Sequence, residues 1–158
     1  MGAGLPIAAI IVNEKLEGFG PKAEELHTFA NNSLSQVAAA KQIEIIERDN
    51  ILENVRNIGK YLVEGIKKIQ KQYPQIGDIR GVGLHIGVEY VKDTDSKEPD
   101  VDLAVNIRKE GLKNGAIFGL GGANRNVLKV KPPLIINCDE ADQVLTILEK
   151  SMGAVIKQ

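Results

Sequence analysis

The sequence predicts an α+β fold, in which helices pack against a sheet without regular alternation along the chain. Apolar residues recur at helical spacing between Ile51 and Ile69, and the period then changes to strict alternation between Gly83 and Tyr90. Two further short strands are expected on either side of a glycine-rich stretch, residues 119–125. This irregular order of helices and strands disfavours a doubly wound parallel sheet.

The composition is that of a globular chain, with 158 residues of which 43% are hydrophobic and 26% charged. A formal charge of −1 and the lack of basic runs give no reason to expect a nucleic-acid partner. Cys138 is the single cysteine, so a disulfide framework is excluded and a reducing, cytoplasmic compartment is favoured. No apolar run reaches the roughly 20 residues of a membrane span, and no export signal is recognisable.

The first third of the chain predicts a strand, a loop and a helix. The apolar run GLPIAAIIV at residues 4–12 predicts a buried strand, and the glycines, proline and charges of residues 13–21 are typical of a loop. Ser33 and Gln36 have the spacing of a capping box, in which each side chain satisfies a backbone N–H at a helix start. We therefore expect a helix of about 14 residues from there.

A second, strongly amphipathic helix is predicted between a cap at Asp49 or Asn50 and a stop at Pro74. The strand that follows should bury one face and expose the other. Its predicted buried residues are Leu84, Ile86, Val88 and Tyr90, and its opposite face carries Gly83, His85, Gly87 and Glu89.

After a loop at residues 92–100, Asp100 or Asp102 can cap a short helix that ends at Asn114 and Gly115. Strands are then predicted at residues 116–118 and 127–130, bracketing a turn with the sequence GLGGANR.

Pro132 and Pro133 end the second of these strands, because neither can donate to a strand ladder. A final helix is predicted after a cap formed by Asn137 and Glu140. Its predicted buried stripe is Ala141, Val144, Leu145, Leu148, Met152 and Val155.

The glycine-rich stretches do not have the context of phosphate-binding loops. RGVGLHIG, residues 80–87, lies at the start of and inside a predicted strand, whereas a dinucleotide fingerprint opens a helix. GLGG, residues 119–122, lacks the lysine and Ser/Thr of a nucleotide loop. His85 has no second ligand at metal spacing, and Cys138 has no base nearby in sequence. The sequence predicts no metal site.

Four segments carry a family resemblance: GLPIAAIIV at 4–12, HTFANNSLSQVAAA at 27–40, IGDIRGVGLHIGVEYV at 76–91 and NVLKVKPPLII at 126–136. In this order and spacing they resemble the C-terminal portion of class III pyridoxal-phosphate-dependent aminotransferases, such as the 4-aminobutyrate, ornithine and alanine–glyoxylate enzymes. The resemblance implies transfer of an amino group between an amino acid or ω-amine and a 2-oxo acid.

The resemblance also implies an architecture and an assembly. Residues 1–46 correspond to the end of a large cofactor-binding domain, and residues 47–158 to a small C-terminal domain with a short, mainly antiparallel sheet covered by helices. An apolar strand at residues 4–12 without its parent sheet should repack or pair with another chain. We expect a homodimer, a larger homo-oligomer, or association with an N-terminal portion.

Two positions carry binding roles by resemblance. Thr28, in the HTF motif, matches a threonine that donates its hydroxyl to the cofactor phosphate in the neighbouring subunit. Lys129 matches a basic residue, usually arginine, that binds the substrate carboxylate. Lysine is a point charge without the planar fork of arginine, so carboxylate clamping is less strict. Lys131, two residues on, shares that strand face and is a second candidate.

The Lys129 segment is also similar to a subgroup that includes phospholyases, whose substrates present a phosphate. A solvated edge-strand lysine is the structural alternative for Lys129.

In this family the lysine that holds pyridoxal phosphate precedes the GLP run, and no lysine occurs here before Lys15. We therefore expect no catalytic residue in this chain and no turnover by the 158-residue polypeptide alone. Borohydride treatment with the cofactor should then leave no adduct at a unique lysine. Two alternatives stay open: a part of a pyridoxal-phosphate enzyme, and a dimerisation or ligand-binding module that reuses the fold without chemistry.

Overall fold

The computed structural model describes residues 4–15 and 32–156 of the chain. The described residues form two compact units, one ending at Asn50 and one beginning at Ile51. The predicted domain boundary between residues 46 and 47 stays a prediction. Across the described residues, none of the helices combines the length and the apolar character that crossing a bilayer demands.

Within its described residues, the first unit contains one helix, α1 (Ser33–Arg48). Its cap is Asn32, whose Oδ1 accepts a hydrogen bond from the Ser35 backbone N–H at 3.0 Å. The predicted Ser33–Gln36 capping box is therefore wrong by one residue, since asparagine and serine are equally good caps and the neighbouring residues decide between them.

Residues 4–12 do not form the predicted strand, and no strand occurs within residues 4–15. The side chains of Ile10 and Ile11 are 89% and 96% exposed. The prediction of a buried strand fails here because a strand is stabilised by partner strands, and the described residues of this unit provide none.

The second unit follows the order α2 (Ile51–Gln72), β1 (Ile76–Val82), β2 (His85–Tyr90), α3 (Val101–Lys113), β3 (Gly119–Gly121), β4 (Val127–Val130) and α4 (Cys138–Ile156). The strands form one antiparallel sheet in the order β1-β2-β4-β3. Helices α2 and α3 contact the strands, and α4 packs against both helices. The predicted α+β class is confirmed.

The predicted caps of α3 and α4 are confirmed, and in each the two hydrogen-bonded residues are three apart in sequence. Asp100 caps α3 by accepting from the Leu103 N–H at 2.9 Å, which decides between the two candidate aspartates. Asn137 and Glu140 form a reciprocal capping box at α4, with distances of 2.9 and 3.0 Å. Fully buried residues of the core include Leu62, Ile66, Ile86, Val88, Tyr90, Ile107, Leu128, Leu148 and Met152.

One strand prediction is wrong, and one strand was not predicted. Residues 116–118 are not a strand, and β3 instead occupies Gly119–Gly121, inside the stretch predicted as a turn. Strand β1 was not predicted separately from β2, because most of its residues are exposed and its glycines obscure the alternation. Both strands lie at the edges of the sheet, where burial imposes the weakest pattern.

Candidate functional site

The face of the sheet opposite the helices is the candidate site, and we call it the open face. Pairing across the sheet aligns Arg80, Gly87, Lys129 and Gly119 in one row. The adjacent row contains Asp78, Glu89, Val127 and Gly121. Since directly opposed residues of neighbouring strands point to the same side, these two rows place charged groups among glycines on one surface.

Lys129 lies on the central strand β4 and is half-buried. Its side chain extends towards β3. An ideal Cβ built on Gly121 would lie 3.0 Å from Lys129 Cε and 3.1 Å from Lys129 Nζ. Within the described part of the chain, no carboxylate lies within ion-pair distance of this ammonium group. Lys129 therefore presents an uncompensated positive charge on the open face.

Arg80 is the contrasting cation in the same row. Its Nη1 donates to Asp78 Oδ2 at 2.7 Å and also to Glu89. The hydrogen bonds that Arg80 donates to Asp78 and Glu89 raise the pKa of its guanidinium group above the ordinary value. Since two carboxylates surround Arg80, its charge is locally neutralised, whereas that of Lys129 is not.

Glu89 is held from its other side by Asn126, a residue that is only 1% exposed. Asn126 Nδ2 donates to Glu89 Oε1 at 3.3 Å and to the Tyr90 carbonyl at 2.8 Å. This buried amide fixes the start of β4 against β2, and so fixes the strand from which Lys129 extends.

An open cleft of about 490 Å³ covers this surface. Arg80, His85 and Lys129 line it, over a floor that includes Gly87 and Val127. The glycines leave room above the strands, so a small polar molecule can approach the backbone and the Lys129 ammonium group together.

Lys131 lies beyond the end of β4 at Val130 and is exposed. It lines a different cleft of about 300 Å³, together with Pro132, Pro133 and Glu140. The structure thus does not bring Lys129 and Lys131 to one cleft of the described chain, because the strand periodicity that would align them ends before Lys131. A shared role for the two lysines stays a prediction.

Thr28, the predicted cofactor-phosphate contact, lies outside the described residues. Arg80, Glu89 and Asn126 were not singled out from the sequence. A sequence signal for Arg80 does exist. Arg80 lies two residues after Asp78, so the two share one face of a strand, and the next strand carries Glu89, whose charge is opposite to that of Arg80. Across the described residues, no group of three or more His, Cys, Asp or Glu side chains is placed to hold a metal ion.

The chain as a whole matches a known family. The model for aminotransferase class-III matches residues 1–152, so the chain belongs to the class III aminotransferase family. Class III aminotransferases generally use pyridoxal phosphate.

The relatives and solved structures that it is similar to include several activities. The chain is 32% identical to alanine–glyoxylate aminotransferase 2 homolog 2, mitochondrial, of Arabidopsis thaliana, covering 97% of this chain and 32% of that protein. It is 31% identical to ethanolamine-phosphate phospho-lyase homolog 1 of Caenorhabditis elegans, covering 95% of this chain and 34% of the relative. A Bacillus anthracis aminotransferase structure superposes with a TM-score of 0.79 at 34% identity, covering 87% of this chain and 32% of that one. The chain therefore spans about a third of the length of these proteins.

The open face does not fit pyridoxal phosphate itself. That cofactor needs a lysine amine for the Schiff base and an acidic partner for its ring nitrogen, in an enclosed pocket. Here Lys129 lies in an open cleft, and the nearby carboxylates Asp78 and Glu89 are engaged by Arg80. We assign no step of cofactor chemistry to the described residues.

Proposed function

We propose that this chain supplies the substrate-anion side of a pyridoxal-phosphate-dependent class III enzyme, and that Lys129 binds the anionic group of an amino substrate. The observation that carries the proposal is the half-buried, uncompensated Lys129 ammonium group in a glycine-floored cleft. An anion that reaches this cleft meets the Lys129 ammonium group, which pairs with no carboxylate of the described residues. The protein groups then bind and orient the substrate, and the cofactor supplies the chemistry at its amino carbon.

Amino-group transfer to a 2-oxo acid is the activity that family membership favours. A phosphate-bearing amine is a second candidate substrate class, favoured by a lysine in place of the more common arginine. A point charge binds a phosphate well but lacks the two-pronged match of a guanidinium to a carboxylate. The name of the phospho-lyase relative is consistent with this second candidate.

The other parts of the proposal rest on resemblance. We propose that Thr28 donates to the cofactor phosphate of a neighbouring subunit and that the chain acts in a dimeric or larger assembly. A neutral hydroxyl near the start of α1 suits a phosphate dianion, because the N-terminus of a helix carries partial positive charge.

The proposal is tested by titrating the ¹⁵N-labelled chain with O-phosphoethanolamine, L-alanine and ethanolamine, while its amide chemical shifts are followed by NMR. We expect O-phosphoethanolamine and L-alanine, which each carry an anionic group, to perturb residues of β3 and β4, and ethanolamine to leave them unchanged. A stronger response to O-phosphoethanolamine than to alanine would favour the phosphate-bearing substrate class.

Lys129→Met should weaken the binding of both ligands strongly but leave it measurable, since it keeps most of the length of the side chain and removes its charge. Lys131→Met is the matched control on the same segment, and a loss of binding there would support the shared role of Lys131. Unchanged anion binding by the Lys129→Met variant would contradict the proposal.

A further inference from the structure

Gly121 contacts Lys129 in a way that no other strand glycine does. The three heavy atoms nearest to an ideal Cβ at Gly121 are Cε, Nζ and Cδ of Lys129, at 3.0, 3.1 and 3.2 Å. The same construction at Gly119 meets Lys129 Cε at 3.2 Å and Cβ at 3.4 Å. The end of the lysine side chain therefore lies on the backbone of β3.

Packing does not otherwise require glycine at position 121. At Gly81 an added Cβ would lie 2.3 Å from the His85 carbonyl oxygen, so a side chain there would collide with backbone. At Gly122 a φ of +81° disfavours any residue with a side chain. Gly121 differs in both respects, because the three heavy atoms nearest to an added Cβ all belong to the flexible end of Lys129 and its φ is not positive.

Glycine in a strand also has a cost, since it loses more backbone entropy on folding and contributes no side chain to packing. If backbone packing does not explain this glycine, its role must lie elsewhere. The three nearest heavy atoms point to the position of the Lys129 ammonium group as that reason.

We propose that Gly121 is a positioning residue: the missing side chain lets Lys129 lie across β3, and this sets where its ammonium group meets the anionic group of the substrate. The inference rests on the proposed function of Lys129. With a methyl group at position 121, Lys129 Cε and Nζ must move by a few tenths of an ångström or rotate away from the strand. A charge displaced from its binding geometry loses part of its interaction with an oriented anion.

The test compares Gly121→Ala with the parent chain in the O-phosphoethanolamine titration. We expect about threefold to tenfold weaker binding, because a displaced ammonium group still attracts the anion but interacts with it less favourably. Gly119→Ala is the matched control and should have a smaller effect, because its methyl group meets Lys129 less closely. The melting temperature of Gly121→Ala should stay unchanged or rise slightly, since alanine stabilises a compatible backbone position.

A double-mutant cycle separates positioning from general disturbance. If Gly121 acts through Lys129, then adding Gly121→Ala to Lys129→Met should leave the remaining weak binding unchanged. An equal loss in both backgrounds would overturn the inference, and so would parent-like binding by Gly121→Ala. Lys129→Met that binds like the parent would overturn the proposed function itself.

A second measurement does not depend on a ligand. Nuclear Overhauser cross peaks should connect the Lys129 ε-methylene protons with the Gly121 α protons in the free chain, and the corresponding Lys129 contacts should be reduced in Gly121→Ala. Absence of the cross peaks in the parent chain would overturn the inference whatever the titration gives.

Discussion

The two faces of the sheet are made of alternate residues of the same strands, yet they have opposite characters. On the covered face, Ile86, Val88 and Leu128 are completely buried beneath α2 and α3. On the open face, the intervening positions carry glycines, Arg80, Glu89 and Lys129. Alternate residues of the same strands therefore place the buried apolar side chains on one face and the charged side chains on the other.

The largest expected effect comes from the covered face. Leu128→Ala removes a fully buried side chain and should lower the free energy of unfolding by about 2–5 kcal/mol, from lost burial and the cavity left behind. Lys129→Met, the next residue along the strand, should change it by less than about 0.5 kcal/mol. Urea unfolding followed by circular dichroism measures both, and similar losses for the two variants would contradict the separation of faces.

The next effect concerns Asn126, which joins the faces by holding Glu89 and the Tyr90 carbonyl. Asn126→Ala should lower the free energy of unfolding by about 1–3 kcal/mol, because it removes both hydrogen bonds of a buried side-chain amide. Asn124→Ala, at an exposed position of the same turn, should be close to neutral. A neutral result for Asn126→Ala in the same urea experiment would remove this residue from the support of the site.

One pH-dependent contribution to the free energy of unfolding comes from Tyr90 on the covered face. Burial raises the pKa of the Tyr90 phenol well above its ordinary value. Because the folded-state pKa is raised, the contribution of Tyr90 is fully present below the unfolded pKa of about 10 and is lost as pH rises toward the folded value. Thermal unfolding measured between pH 9 and 11, a range of about 1 unit either side of that pKa, should show a smaller decline in Tyr90→Phe than in the parent chain. An identical decline would contradict the assignment to Tyr90.

The smallest expected effect is that of the ion pairs on the open face. The Arg80 and Glu89 side chains are 52% and 26% exposed, so solvent screens their attraction. Glu89→Gln should cost less than about 1 kcal/mol, and the cost should shrink as salt is added. A loss as large as that of Leu128→Ala would mean that the open face also stabilises the fold.

The sequence predicted the helices and strands that have one fully buried face and one exposed face. Helix α2 and strand β2 were recognised because one face of each is buried against other elements, and the apolar period reflects that burial. Strand β1 and the position of β3 were missed because both strands lie at sheet edges and carry glycines. Of the site, Lys129 was found by resemblance, whereas Arg80 and Glu89 become neighbours only through strand pairing.

The sequence by itself determined the α+β class, the family and the α4 cap at Asn137, and it narrowed the α3 cap to Asp100 or Asp102, because these signals lie in residues close together along the chain. The tertiary structure alone decided that Lys129 lies over Gly121, that Arg80 is neutralised and that Lys131 lines a separate cleft. These outcomes depend on strand register and on where β4 ends. Register brings together residues that are distant in sequence, and no local pattern specifies which of them meet.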